Sequence, residues 1–114
     1  MLNPDAEAPA QTSALAQAVA ARDSFALLQV LVPCEKMKRD ALIPLVQDWM
    51  QMFQQALAAR SGGAALSGDA QLIAQRLGGS ELLSKVQALQ KAYEYLNANV
   101  SPGAVCGWLE WELR

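Results

Sequence analysis

The sequence contains no histidine and only two cysteines among its 114 residues. Without histidine the commonest general base is missing, and no imidazole can activate a serine or cysteine nucleophile. Cys34 and Cys106 form neither a CxxC pair nor a metal-ligand spacing. We therefore expect no catalytic residue, no cofactor and no metal ligand in this chain. We expect both thiols to be reduced and buried, with a disulfide as the less favoured alternative.

Long apolar runs and concentrated positive charge are also missing. No apolar run reaches the roughly 18 residues that a transmembrane helix needs, and no signal-peptide pattern opens the chain. Nine Lys and Arg against eleven Asp and Glu give a net charge of −2. The one basic cluster, Lys36, Lys38 and Arg39, is typical of a solvated helix face, and phosphate contact is the less favoured alternative. These features predict a cytoplasmic protein with neither a membrane nor a nucleic acid as its main partner.

The residues that are present favour helices. Hydrophobic residues make up 53% of the chain and are rich in Ala and Leu, the strongest helix formers. β-Branched residues are sparse and do not alternate with polar ones over the length of a strand. The length fits one domain. The sequence thus predicts an all-α fold, a compact bundle of five or six helices spanning 12–114, preceded by a linker or disordered segment at 1–11.

Capping and breaking residues predict the first two helices. A first helix is expected over 12–22. Asp23 is a good N-cap for a second, short helix, which Pro33 ends because proline cannot continue the hydrogen-bond ladder. The side chains of this second helix that we expect to face inward are Phe25, Leu28 and Leu31.

The longest helical pattern covers 34–60 and contains Pro44. Two interpretations are possible. Either Asp40 caps a helix that starts late, or the helix begins near Cys34 and kinks at Pro44. We favour the kinked helix.

Three further helices are expected in the second half of the chain. Asp69 can cap a short helix that runs through Leu77, and a helix opening at Ser80 and Glu81 follows. Ser101-Pro102 is an N-cap followed by proline at the first helical position, a strong start signal for a last helix. The apolar residues of the preceding helix recur at heptad spacing and predict a packing seam: Leu82, Val86, Leu89, Tyr93, Leu96 and Val100.

Surplus aromatic residues indicate a surface that contacts other proteins. Two tryptophans lie three residues apart on the last helix. Together with Trp49 they are more than the interior of so small a bundle readily buries. Burial of all three is the alternative that we favour slightly over contact with a partner. One side of the heptad helix is a second candidate surface, for which a core location is again favoured. The candidate subunit interface comprises Trp108, Trp111, Ala88, Ala92 and Tyr95.

The order of these segments resembles a known family. An Ala-rich helix leads into ARDSFALLQVL, a long helix ends in FQQALAARSGG, and LIAQRLG follows a loop. A heptad-like helix then reaches NANVSP, and the chain closes on AVCGWLEWEL. This order resembles the C-terminal collar domain of the bacterial DNA polymerase III delta prime subunit, in the clamp-loader family. The resemblance covers about 14–113.

The resemblance implies a role in assembly rather than chemistry. In that family one helical domain from each of five subunits forms a collar, and the ATP-binding modules lie elsewhere. The implied partners are the gamma/tau and delta subunits, with DNA contacted only through the complex and no small-molecule substrate. It also implies that this chain is an excised domain. The alternatives are the corresponding domain of a gamma/tau or delta subunit, or a free-standing homodimeric helical adaptor that pairs through residues 82–100.

Overall fold

Strong helix formers and clear stop signals divide the chain into six α-helices. The computed structural model describes residues 10–62 and 68–114, of which 83% are helical and none forms a strand. The predicted all-α bundle is confirmed. Residues 1–9 of the predicted linker and the loop residues 63–67 lie outside the described residues. Residues 10–11, also predicted as linker, are helical and begin α1. The helices are α1 (Ala10–Ala20), α2 (Ser24–Cys34), α3 (Arg39–Arg60), α4 (Gly68–Arg76), α5 (Gly79–Asn97) and α6 (Pro102–Glu112).

Two predicted N-caps are confirmed by their hydrogen bonds. The Asp23 carboxylate accepts from the Ala26 backbone N–H at 3.1 Å and opens α2. The Ser101 hydroxyl accepts from the Ala104 N–H at 3.2 Å and opens α6, with Pro102 at its first position. Each cap satisfies a donor that the first helical turn leaves without an intrahelical acceptor.

Two helices end with a residue in the left-handed region. Arg22 after α1 has φ of 56° and Asn99 after α5 has φ of 67°. At the second end the Val100 N–H donates to the Tyr95 carbonyl at 2.9 Å. The Asp23 N–H reaches the Ala18 carbonyl in the same way at 3.0 Å. These are Schellman endings, in which the left-handed residue reverses the chain and satisfies carbonyls of the last turn.

The long helix begins later than we predicted. Tight i→i−3 hydrogen bonds after α2 form a turn, and Lys38 is extended with ψ of 151°, so α3 begins at Arg39 and not near Cys34. The late start was the less favoured interpretation, and Asp40 lies in the first turn without capping it. Pro44 is inside the helix on an exposed position. Its missing N–H leaves one carbonyl without its usual donor, on the side that water reaches.

One contiguous core joins the helices. Trp49 and Phe53 of α3 are fully buried at its centre. Of the predicted seam on α5, the residues Leu82, Val86, Leu89 and Leu96 are buried, whereas Tyr93 and Val100 are half-buried. Cys34 and Cys106 are free and buried, as predicted.

The helix pairing places α2 and α6 on one side of the bundle. Helix α3 packs against α4 and α5, α1 packs against α2 and α4, and α6 packs against α2 and α5. The Lys85 ammonium donates to the Arg114 carbonyl at 2.7 Å and so ties the end of α6 to α5. The radius of gyration is 13.4 Å, as expected for a domain of this length. Helices α2 and α6 therefore present their outer flanks together.

Candidate interaction surface

Two of the predicted interface residues lie in the core. Ala88 is 5% exposed and Ala92 is fully buried. These two alanines are therefore not interface residues, and the core location that we favoured for this side of α5 is confirmed for them. Small alanine side chains let helices approach closely, so this side of α5 is occupied by the domain's own packing.

Tyr95 and Trp108 contact each other rather than standing free. Their ring centroids are 5.5 Å apart at an interplanar angle of 77°, an edge-to-face arrangement. Tyr95 is 37% exposed, and Trp108 is half-buried against the core. This pair joins α5 to α6, so its first role is within the domain.

Trp111 is the predicted interface residue that the fold leaves open. It is 70% exposed, while Trp49 is fully buried, so the core does not take all three tryptophans. The Arg114 guanidinium lies 4.4 Å from the centroid of the Trp111 ring, a cation–π contact within α6. Burial of all three tryptophans, the alternative that we slightly favoured, is therefore wrong, and Trp111 lies on the surface.

The structure places Phe25 on the surface, which differs from its predicted position in the core. We expected it to face inward, but it is 70% exposed. Val32, two turns further along α2, is 46% exposed, and Leu28 between them is half-buried. Leu31 is buried as predicted, and Leu27, not Phe25, lies with it in the buried stripe. Because α2 is apolar on nearly every side, its sequence does not reveal which face turns inward.

Helices α2 and α6 run antiparallel. A Cβ built on Gly103, near the start of α6, would lie 3.6 Å from the Glu35 carbonyl at the end of α2. At the opposite end Ser24 and Leu27 line one small pocket with Leu113 and Arg114. The start of α2 thus lies beside the end of α6.

This arrangement brings exposed apolar residues of both helices to one side. On α2, Val32 precedes Glu35 by three residues and shares its flank. On α6, Gly107 lies three residues before Glu110 and four residues before Trp111, so it shares a side of the helix with each of them. Glu35 and Glu110 act on each other across the two helices, so these flanks border one surface. We call this surface the α2–α6 face and define it by Phe25, Leu28, Val32, Gly107 and Trp111.

Glu35 at the end of α2 and Glu110 of α6 are carboxyl groups that interact with each other. Partial burial raises the pKa of Glu110 to about 7, and hydrogen bonding and repulsion from Glu35 add to this effect. The Oε2 atom of Glu110 is shielded from solvent and has no hydrogen-bond partner among the described residues. Arg114 opposes the rise in pKa, but its guanidinium stacks on Trp111 and its Nε donates to the Glu110 carbonyl at 2.9 Å. Two carboxyl groups that interact in this way lose their protons as a pair rather than independently.

The thiols beside this pair are unreactive. Burial raises the pKa of Cys106 to about 12, with smaller contributions from Cys34, Glu35 and Glu110, and burial also raises the pKa of Cys34. A neutral buried thiol is a poor nucleophile and a poor metal ligand. Within residues 10–62 and 68–114, no group of three His, Cys, Asp or Glu side chains could hold a metal ion.

The cavities found on either side of α1 and α2 in the described part are each too small or too open to enclose a small molecule. The pocket bordered by Arg22, Glu81 and Lys85 holds about 80 Å³, far below the several hundred Å³ of a typical ligand site. A larger volume of about 410 Å³ between α1 and α2 is an open groove, bordered by Ala14, Val30 and Met37 among others. The helices in this part of the chain are too short or too polar for any of them to cross a membrane.

The basic cluster before α3 is partly used inside the domain. The Arg39 guanidinium donates to the Val100 carbonyl at 3.0 Å and so holds the start of α3 against the turn that precedes α6. Lys36 and Lys38 are exposed. Two exposed lysines are a weak basis for phosphate binding, which needs several contacts to be appreciable.

Four residues of this surface were not predicted from the sequence: Phe25, Val32, Glu35 and Glu110. The only signal was the excess of apolar residues in α2, which indicated that part of that helix is left uncovered. No local sequence pattern indicates the carboxyl pair, because Glu35 and Glu110 lie 75 positions apart in the chain. Comparisons with protein-family models, with curated proteins and with solved structures found no significant match.

Proposed function

We propose that this chain is a protein–protein assembly domain. The observation that carries the proposal is the exposure of Phe25 and Trp111, each 70% open to solvent in a domain that buries Phe53 and Trp49 completely. Large exposed aromatics are unfavourable in water and are enriched at the centres of protein interfaces. Together with Val32 they make the α2–α6 face an apolar surface of the kind that another protein covers.

The resemblance to the clamp-loader family suggests which assembly this is. On that basis we propose that the domain occupies one position in the collar of a bacterial DNA polymerase III clamp loader, as the delta prime subunit, in the cytoplasm. Its partners are then the gamma/tau and delta subunits, and DNA is reached only through the complex. The chain itself carries out no catalysis in this proposal. The corresponding domain of a gamma/tau or delta subunit remains the alternative within the same family.

Reconstitution tests this proposal directly. The whole chain is mixed with the gamma/tau and delta subunits of the same genome, and complexes are measured by size-exclusion chromatography with light scattering and by binding titration. We expect a defined complex and no ATP hydrolysis by the chain alone. Absence of association at micromolar concentrations would overturn the clamp-loader assignment.

Two other functions are tested by simple measurements. A homodimer through residues 82–100 needs a free apolar seam, but four of the six predicted seam residues are buried within the domain. We therefore expect sedimentation to show a monomer over a wide concentration range. Direct DNA binding predicts a steep negative dependence of affinity on salt, and we expect filter binding to show no such slope.

A further inference from the structure

We draw no further inference here: the strongest candidate, the open groove between α1 and α2 bordered by Ala14, Val30 and Met37, carries none because nothing in the structure shows what covers it.

Discussion

Phe25 and Phe53 are the two phenylalanines of the chain, and they give a matched test of which surface is core. Phe25 is 70% exposed on α2, and Phe53 is fully buried on α3. Replacing each by alanine makes the same chemical change in opposite environments. We therefore expect F53A to be strongly destabilising and F25A to have little effect on stability.

The expected magnitudes follow from the burial. A fully buried phenylalanine covers about 200 Å², so the covered part of Phe25 amounts to about 60 Å², or at most about 1.5 kcal/mol at about 25 cal/mol per Å². Alanine is the better helix former by about 0.5 kcal/mol, which offsets part of this loss. We expect F25A to lower the free energy of unfolding by no more than about 1 kcal/mol. F53A should cost about 3–5 kcal/mol, because it also leaves a cavity.

Urea unfolding followed by far-UV circular dichroism measures both variants. The slope with denaturant should be unchanged, so that the midpoint reports stability. The two melting temperatures should differ by more than about 10 °C, since about 1 kcal/mol shifts a domain of this size by roughly 4–8 °C. If F25A costs as much as F53A, Phe25 faces inward as the sequence first suggested, and the α2–α6 face loses its largest residue on α2.

The remaining predictions concern a helix end, an isolated buried hydroxyl and the carboxyl pair. Asn99 has φ of 67°, so N99A should lower the free energy of unfolding by about 1 kcal/mol, whereas N99G should not; equal losses in urea unfolding would contradict the backbone argument. Thr12 is 4% exposed, and its hydroxyl has no partner among the described residues, so T12V should stabilise the chain by about 1 kcal/mol; a loss of stability would mean that the hydroxyl is bonded. The stabilising effect of the raised Glu110 pKa is fully present below about 4.5 and disappears as the pH rises through about 7. E110Q should remove this pH dependence, a change on the order of 1 kcal/mol because the pair is open to solvent on one side; an unchanged profile would refute the pairing of Glu35 with Glu110.

Local chemistry explains which parts of the fold were predictable. Asp23 and Ser101 cap helices through hydrogen bonds to residues three positions away, so the sequence alone contains both partners. The heptad spacing of α5 likewise reports its buried stripe, because its polar residues mark the opposite face. In each case the deciding interaction lies within one helix or one turn.

The errors arose where the deciding interaction lies outside the helix. The start of α3 depends on the tight turn that follows α2, and neither Cys34 nor Pro44 indicates that turn in the sequence. Phe25 was misplaced because α2 is apolar on most sides, so the docking of α1 and α6 decides which stripe is covered. The carboxyl pair requires the antiparallel pairing of α2 with α6, which no local pattern encodes.

Two features of the α2–α6 face are unfavourable for the domain on its own. Exposed aromatics lower solubility, and two carboxyls held together lower stability as the pH rises. E35Q/E110Q should therefore be more resistant to urea at pH 8 than the unaltered chain, because the substitution removes the repulsion between the two carboxylates. A variant that is less resistant at this pH would show that the pair stabilises the fold, and that the raised pKa of Glu110 has another cause.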